Sequence, residues 1–282
     1  MHKAGKNIAL LYAEGLRCKL NNKLPLFFLL QSGVKSHIYK REVFMKKHKW
    51  FAVISAMVMA LAVAGCSDPS SGTGNSGVDY SKYQVGDFGL KDGTILSKDK
   101  TPEKDTVAAV IVRADTLTKP ALGVGIVHNN QSGFKWCKKS AAGYEIDISA
   151  LVGDETSGYM DGRDGWDKLK AACSDAESNP ENYPAWNYSL TYAEKNGLTG
   201  DLAEGWYLPT VAELYTIYQN KTAVNESLSK AGGSTFGTSY YWSCCQDPSD
   251  NMCARSLYFN DGTKPIDSKA SDTSVCSVRA FN

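Results

Sequence analysis

The most reactive side chains in this 282-residue chain are its eight cysteines and four histidines. Cys18 and Cys66 come early; Cys137, Cys173, Cys244, Cys245, Cys253 and Cys276 are spread over the remainder. A thiolate can attack an electrophile, hold a soft metal or pair as a disulfide. No Cys-x-x-Cys pair occurs, so spacing does not support a zinc knuckle. Adjacent Cys244 and Cys245 are poorly placed to bridge each other, because disulfide geometry is narrow. The other cysteines leave every pairing open, and buried free thiols remain the plain alternative. After residue 65 a single histidine is left, His128, at the end of a β-like run. Hydrolase and metal chemistries mostly enlist histidine beside other groups, so its scarcity argues against an enzyme. Asp154, Glu155, Asp161, Asp164 and Asp167 cluster near glycine turns, where paired acid–base work is conceivable. A solvated loop leading into a helix accounts for them more simply. The run Asp247-Pro-Ser-Asp-Asn251 offers calcium-type oxygens without EF-hand spacing, and reads as a turn. No metal and no cofactor are expected.

Cys66 stands apart because of what precedes it. Residues 45–66 read MKKHKWFAVISAMVMALAVAGC: a basic start, an apolar run too short to span a bilayer, then small residues before the cysteine. Leu61-Ala-Val-Ala-Gly-Cys66 resembles the bacterial lipobox. The expectation is export, cleavage before Cys66 and lipidation of that cysteine, which makes the membrane a partner through the lipid. Met45 then becomes the start of the signal, and residues 1–44 a mis-assigned upstream extension.

The 217 residues from Cys66 onward hold 20 Lys+Arg against 28 Asp+Glu, so the near-neutral whole chain hides an acidic mature protein. An acidic surface repels phosphate backbones, and no nucleic-acid partner is expected. Export permits disulfides, and the length suits one domain.

These groups need elements to hold them. Residues 66–79 are rich in Gly, Ser, Asn and Asp and read as a flexible tether, with one domain over residues 80–282. Runs at 106–113 and 122–128 are apolar and β-branched, as strands are. Residues 166–172 suggest a helix, and residues 185–195 another, with Ala185, Tyr188, Ser189 and Tyr192 on one face. The segment 205–214 (GWYLPTVAEL) combines a short strand, Pro209, and a Thr210/Glu213 capping box opening a helix to Tyr218. Tyr240-Tyr-Trp242 predicts a strand; residues 256–260 alternate before an Asp261-Gly262 turn; residues 275–281 alternate again. Residues 246–252 and 263–274 look irregular. Trp186, Tyr188, Trp206, Tyr241 and Trp242 have the faces to stack on sugars but occupy core-like positions.

Four blocks occur in order: Gly205-Trp-x-Leu-Pro-Thr-x-x-Glu-Leu214, Tyr241-Trp-Ser243, Phe259-x-Asp-Gly262 and Val278-Arg-Ala280. Together they resemble the bacterial domain related to the C-terminal part of the Legionella collagen-like adhesin, of formylglycine-generating-enzyme-type C-type-lectin fold. The resemblance covers residues 183–282 well and residues 80–143 weakly. It implies an α+β, C-type-lectin-like domain: a twisted antiparallel sheet, two main helices and long ligand-facing loops, with Trp206, Leu208 and Leu214 in the scaffold. The chain also resembles retroelement-diversified surface lipoproteins of Treponema-type spirochaetes, in which adenines at chosen codons are randomised. That likeness places a variable, ligand-binding surface in residues 244–277. Its candidates are Ser249, Asn251, Cys253, Arg255, Tyr258, Asn260, Thr263, Pro265, Ile266, Asp267, Ser268, Asp272 and Thr273. Randomised Asn codons cannot give Glu, Gln, Lys, Trp or Met; residues 247–277 lack Glu, Gln and Trp but include Met252, Lys264 and Lys269. Cys244 and Cys245 depart from the serines often found in related domains.

The expected product is therefore a lipid-anchored ligand-binding protein for display or adhesion, with a protein or glycan ligand, at the outer membrane and cell surface or facing the periplasm. A formylglycine-generating-enzyme-like oxidase and an undiversified structural envelope lipoprotein are the alternatives.

Overall fold

The β-branched run that begins at Val107 is buried along almost its whole length, and it sits in the middle of a sheet. The computed structural model describes residues 82–282. The lipobox, the upstream extension and the tether lie outside the described residues. The first sheet has the order β2-β1-β3-β4-β11-β6. Its strands are β1 (Phe88–Leu90), β2 (Ile95–Leu96), β3 (Val107–Arg113), β4 (Ala121–Gly125), β6 (Trp206–Tyr207) and β11 (Val278–Phe281). All its pairings are antiparallel. The second sheet has the order β5-β10-β7-β8-β9, formed by β5 (Asn129–Phe134), β7 (Tyr240–Gln246), β8 (Cys253–Tyr258), β9 (Ile266–Ser268) and β10 (Thr273–Val275). Its β10–β7 pairing is parallel, through Ser274 opposite Tyr241.

An α+β fold with antiparallel sheets is thus present, but with two sheets where a single one was expected. The final alternating run shows why. Residues 275–281 read as one strand, yet the chain leaves the second sheet after Val275 and joins the first at Val278. Cys276 and Ser277, both buried, make the crossing, and the Ser277 hydroxyl meets that of Ser189 at 3.1 Å. Each half of the run keeps its alternation while belonging to a different sheet.

The helices are α1 (Gly165–Ala172), α2 (Pro184–Leu190), α3 (Tyr192–Lys195), α4 (Val211–Gln219) and α5 (Lys221–Lys230). The helix expected over 185–195 breaks at Thr191, which keeps φ −95° and ψ 7° and turns its hydroxyl back to the Asn187 carbonyl at 2.7 Å. The capping box forms as read: Glu213 N–H donates to Thr210 Oγ1 at 3.2 Å, and Thr210 N–H donates to Glu213 Oε2 at 2.9 Å. Leu214 and Ile217 of α4 are buried with Tyr241 and Leu257 of the second sheet and with Val110 and Val124 of the first. A second core gathers Trp136, Trp186, Trp242, Tyr183 and Ala254. Burying such rings contributes about 1.5–3 kcal/mol each, so these clusters fix the sheets firmly. Among the described residues no helix is long and apolar enough to cross a membrane.

Candidate functional site

Strands β7, β8 and β9 form an antiparallel meander. Residues 247–252 connect the first two, and residues 259–265 the last two, so the connections lie at opposite ends. The six residues of β8 hold those ends roughly 20 Å apart, at about 3.3 Å per residue. Of the expected binding residues, Ser249 and Asn251 are exposed at the first end, and Asp272, in the β9–β10 connection, is exposed and pairs with Lys135. Asn260 and Thr263 are exposed at the second end. The half-buried Arg255, Tyr258, Pro265, Ile266 and Asp267 lie between.

Strand alternation divides the middle group again. Arg255 is opposite Ile266 and Ala254 opposite Asp267, while Tyr258 and Ser256 donate their amides to Thr263 and Pro265. Tyr258, Thr263, Pro265 and Asp267 therefore share one face, and Arg255 and Ile266 take the other. The thirteen residues do not make one continuous surface. Three leave the surface altogether: Cys253, Ser268 and Thr273 are buried. Cys253 and Ser268 oppose each other across β8 and β9, the Ser268 hydroxyl meets that of Tyr144 at 3.3 Å, and Thr273 opposes Phe134. A ligand has no access to side chains turned inward this way, which corrects their assignment.

Each end is built from its own polar side chains. Asp247 is 1% exposed; its Oδ1 accepts from the amide and hydroxyl of Ser249, and its Oδ2 lies 3.5 Å from the Arg255 guanidinium. Asp250 Oδ1 accepts the Met252 amide at 2.9 Å. The Asp247–Asn251 run is a turn held by its own carboxylates. Below it Gln246 Oε1 accepts from Ile148 N–H and from the Lys269 ammonium at 2.9 Å. At the other end Asp261 Oδ1 accepts from the amide and hydroxyl of Thr263, and hydrogen bonding holds the Asp261 carboxyl below its ordinary pKa. Gly262 keeps φ +76°, and a Cβ there would lie 2.5 Å from the Tyr218 ring. Only glycine satisfies both demands at this turn.

One residue missing from the expected set lies beside Tyr258 at the open end. Tyr240 opposes Tyr258, is 44% exposed, and stacks on it with ring centroids 4.1 Å apart and planes 12° from parallel. Alternation alone does not single it out: Trp242 and Ser256, one step along on the same face, are buried, and Tyr241 on the other face is buried too, so the face opens only at the Tyr240–Tyr258 end. The burial of Tyr241, Trp242, Trp206 and Trp186 matches the core reading, with Tyr188 half-buried.

The other reactive groups are engaged elsewhere. Cys244 and Cys245 are fully buried; burial pushes the Cys244 thiol up, while its hydrogen bond to Cys245 pulls the Cys245 thiol down. His128 is buried against the Phe236 ring at 4.2 Å, and desolvation lowers its pKa to about 4. Asp161 pairs with Arg163, Asp164 with Lys168, Asp167 with Lys170 and Glu155 with Lys264. Asp161 and Asp164 border an open cleft of about 630 Å³ that also takes in Tyr159 and Met160. Asp154 accepts from the amides of Thr156 and Ser157.

The fold and site define an α+β domain with antiparallel sheets that turns a stacked tyrosine pair and short polar loops outward. No protein-family model matches the sequence, and no curated protein matches it. In structure the chain is similar to a fimbrial protein from Bacteroides ovatus, with TM-score 0.53 and 13% identity over 71% of this chain. The match takes in 49% of the fimbrial protein, so this chain spans about half its length.

Proposed function

We propose that this protein is a lipid-anchored, surface-displayed binding protein whose domain is C-type-lectin-like and non-catalytic. The observation that carries the reading is the open end of the β7–β8–β9 meander, around the β8–β9 connection. There Tyr240, Tyr258, Asn260 and Thr263 reach solvent from a scaffold whose inner side is fully packed. Loops and edges on a rigid scaffold are where binding residues concentrate. The four sequence blocks support the fold reading by their positions: the β6–α4 junction, β7, the turn after β8, and β11 against β4. The signal and lipobox at residues 45–66 support anchoring through Cys66 and display at the outer membrane. A fimbrial structural neighbour is compatible with a place at the surface.

The ligand is a protein or a glycan, and the acidic surface disfavours nucleic acid. Retroelement diversification of the exposed residues in 244–277 is part of the proposal. The lowered Cys245 thiol is the one feature that favours an oxidase, but both it and Cys244 are fully buried.

Cells expressing the full chain and fed labelled palmitate test the anchor, with mass spectrometry of the mature N-terminus and protease treatment of intact cells. Lipid on Cys66 and cleavage within the domain from outside are the expected results. An unlipidated chain, or one protected in intact cells, overturns the display reading. Deep sequencing of the 3′ end of the gene in one population tests diversification, which falls if the codons for Ser249, Asn251, Asn260 and Thr263 are fixed.

A further inference from the structure

The chain that carries Cys66 enters the described domain at Lys82, sixteen residues downstream. A polar, glycine-rich linker of that length has an average reach of about 22 Å, so a lipid on Cys66 keeps Lys82 near the bilayer. What stands beside Lys82 is therefore what the bilayer meets most often.

The point of entry is tied to the turn between β3 and β4, residues 114–120. Tyr83 N–H donates to Asp115 Oδ1 at 3.1 Å. The Tyr83 hydroxyl and the Lys82 ammonium both donate to the Asn282 carbonyl, at 2.6 Å and 3.3 Å. An open cleft of about 280 Å³ runs between entry and turn, with Lys82 and Lys119 exposed on it. Thr116 closes the turn: its N–H donates to the Lys119 carbonyl at 2.8 Å, and its hydroxyl accepts the amides of Thr118 and Lys119. Leu117 is left at the apex, 84% exposed, the most exposed large apolar side chain among the described residues.

A lone exposed leucine is ordinary on a protein surface. The place of this one is not, because its turn is hydrogen-bonded to the point of entry and adjoins two exposed ammonium groups. One side chain is too little for a protein partner, since specific interfaces bury about 800 Å² on each side. It is enough for a surface that a tether already holds at high effective concentration. An apolar tip beside lysines also suits a bilayer: the leucine enters the acyl boundary while the ammonium groups stay among the phosphates. A second cleft beside Lys82 carries Asp201 and Glu204 with Arg279, so charge there is mixed and the contact centres on the turn.

We propose that the 114–120 turn seats on the bilayer that holds the anchor, with Leu117 in the headgroup–acyl boundary and Lys82 and Lys119 against lipid phosphates. This rests on the lipid-anchoring reading above and gives the anchored domain a fixed contact with the membrane.

The test uses the full chain, purified with its lipid and reconstituted into vesicles of phosphatidylethanolamine and phosphatidylglycerol. A photo-crosslinking benzophenone amino acid replaces Leu117 in one sample and Val127 in another. Val127 is also apolar and is 45% exposed, but the five residues of β4 hold it about 16 Å from the turn. Lipid adducts at position 117 are expected to exceed those at 127 by about tenfold, the low end for burying one leucine side chain. Leu117→Asp should lower the adducts from a benzophenone at position 118 by a similar factor without altering the melting temperature. Equal yields at 117 and 127 describe a domain with no preferred contact and overturn the proposal, as does an undiminished yield in Leu117→Asp. The outcomes separate the two readings. A lipidated chain that floats with the vesicles yet cross-links alike at both positions overturns this contact and leaves the anchor, whereas a chain without lipid on Cys66 that stays in solution removes both.

Discussion

The Lys269 ammonium lies 4.7 Å from the centroid of the Trp136 ring, in a part of the core where neither residue is exposed. It donates to the Gly143 carbonyl at 2.7 Å and to Gln246 Oε1 at 2.9 Å, and so ties the β9–β10 connection to the end of β7 and to the loop after β5. Lysine is seldom buried this completely, because desolvation disfavours its charged form. Here that cost lowers its pKa to about 8.

The lowered value fixes the sign of a pH effect. Between about pH 8 and 10.5 the unfolded chain holds the proton that the folded chain has released, so stability rises with pH on this residue's account. Below about pH 8 the full penalty is present, on the order of 3 kcal/mol for a shift of this size. Urea titrations of the protein and of Lys269→Met at pH 7.5 and pH 10 check it. Expected is a gain for the native protein relative to the variant at the higher pH. A pH-independent difference would show that the amine is not desolvated.

His128 gives the opposite window. Its neutral ring is buried against Phe236, and burial depresses its pKa from 6.5 to about 4. As pH falls through that interval the unfolded chain takes up a proton that the folded one refuses, so stability is lost on acidification, by roughly 3 kcal/mol at most. His128→Phe keeps the stack and removes the titration. Thermal melts at pH 7 and pH 4.5 should then show a smaller acid-induced drop in the variant than in the native protein.

The capping box was legible from sequence because its chemistry is local: Thr210, Glu213 and the intervening helix start need nothing from the rest of the chain. What the sequence did not disclose is that Glu213 also accepts the Tyr207 hydroxyl at 2.7 Å and is 2% exposed, which binds β6 to α4. Thr210→Ala should cost about 1–2 kcal/mol, the usual worth of an N-cap. Glu213→Ala should cost more, since it leaves a buried phenol and a buried amide without their acceptor. Denaturant midpoints rank the two variants; the reverse order would contradict the joint role of Glu213.

The strands that escaped reading are either very short, as β1 and β2 are, or not apolar. Strand β5 is Asn-Asn-Gln-Ser-Gly-Phe and β9 is Ile-Asp-Ser; neither shows β-branched alternation, and both are strands because a neighbour supplies the pairing. Helix α5, KTAVNESLSK, buries only Val224, Ser227 and Leu228, too thin a stripe to stand out. Strand β3 was legible because it is buried on both faces and reads as a continuous apolar run. The candidate binding segment takes in most of the β7–β8–β9 meander. Its division between two ends and two faces depends on register, which no single strand encodes.

Register in that segment is pinned at Gly262. Its positive φ disfavours any side chain, and the Tyr218 ring occupies the place a Cβ would take, 2.5 Å away. Gly262→Ala therefore meets two separate penalties, backbone strain of about 1 kcal/mol or more and a steric clash. The two can be separated by a cycle with Tyr218→Ala, which removes the clash and leaves the strain. Gly262→Ala should destabilise the native protein more than it destabilises the Tyr218→Ala protein. The residual cost in the second background measures φ alone. Equal costs in both would mean that Tyr218 swings away freely, and that the turn holding Tyr258 beside Tyr240 is set by the backbone without help from α4.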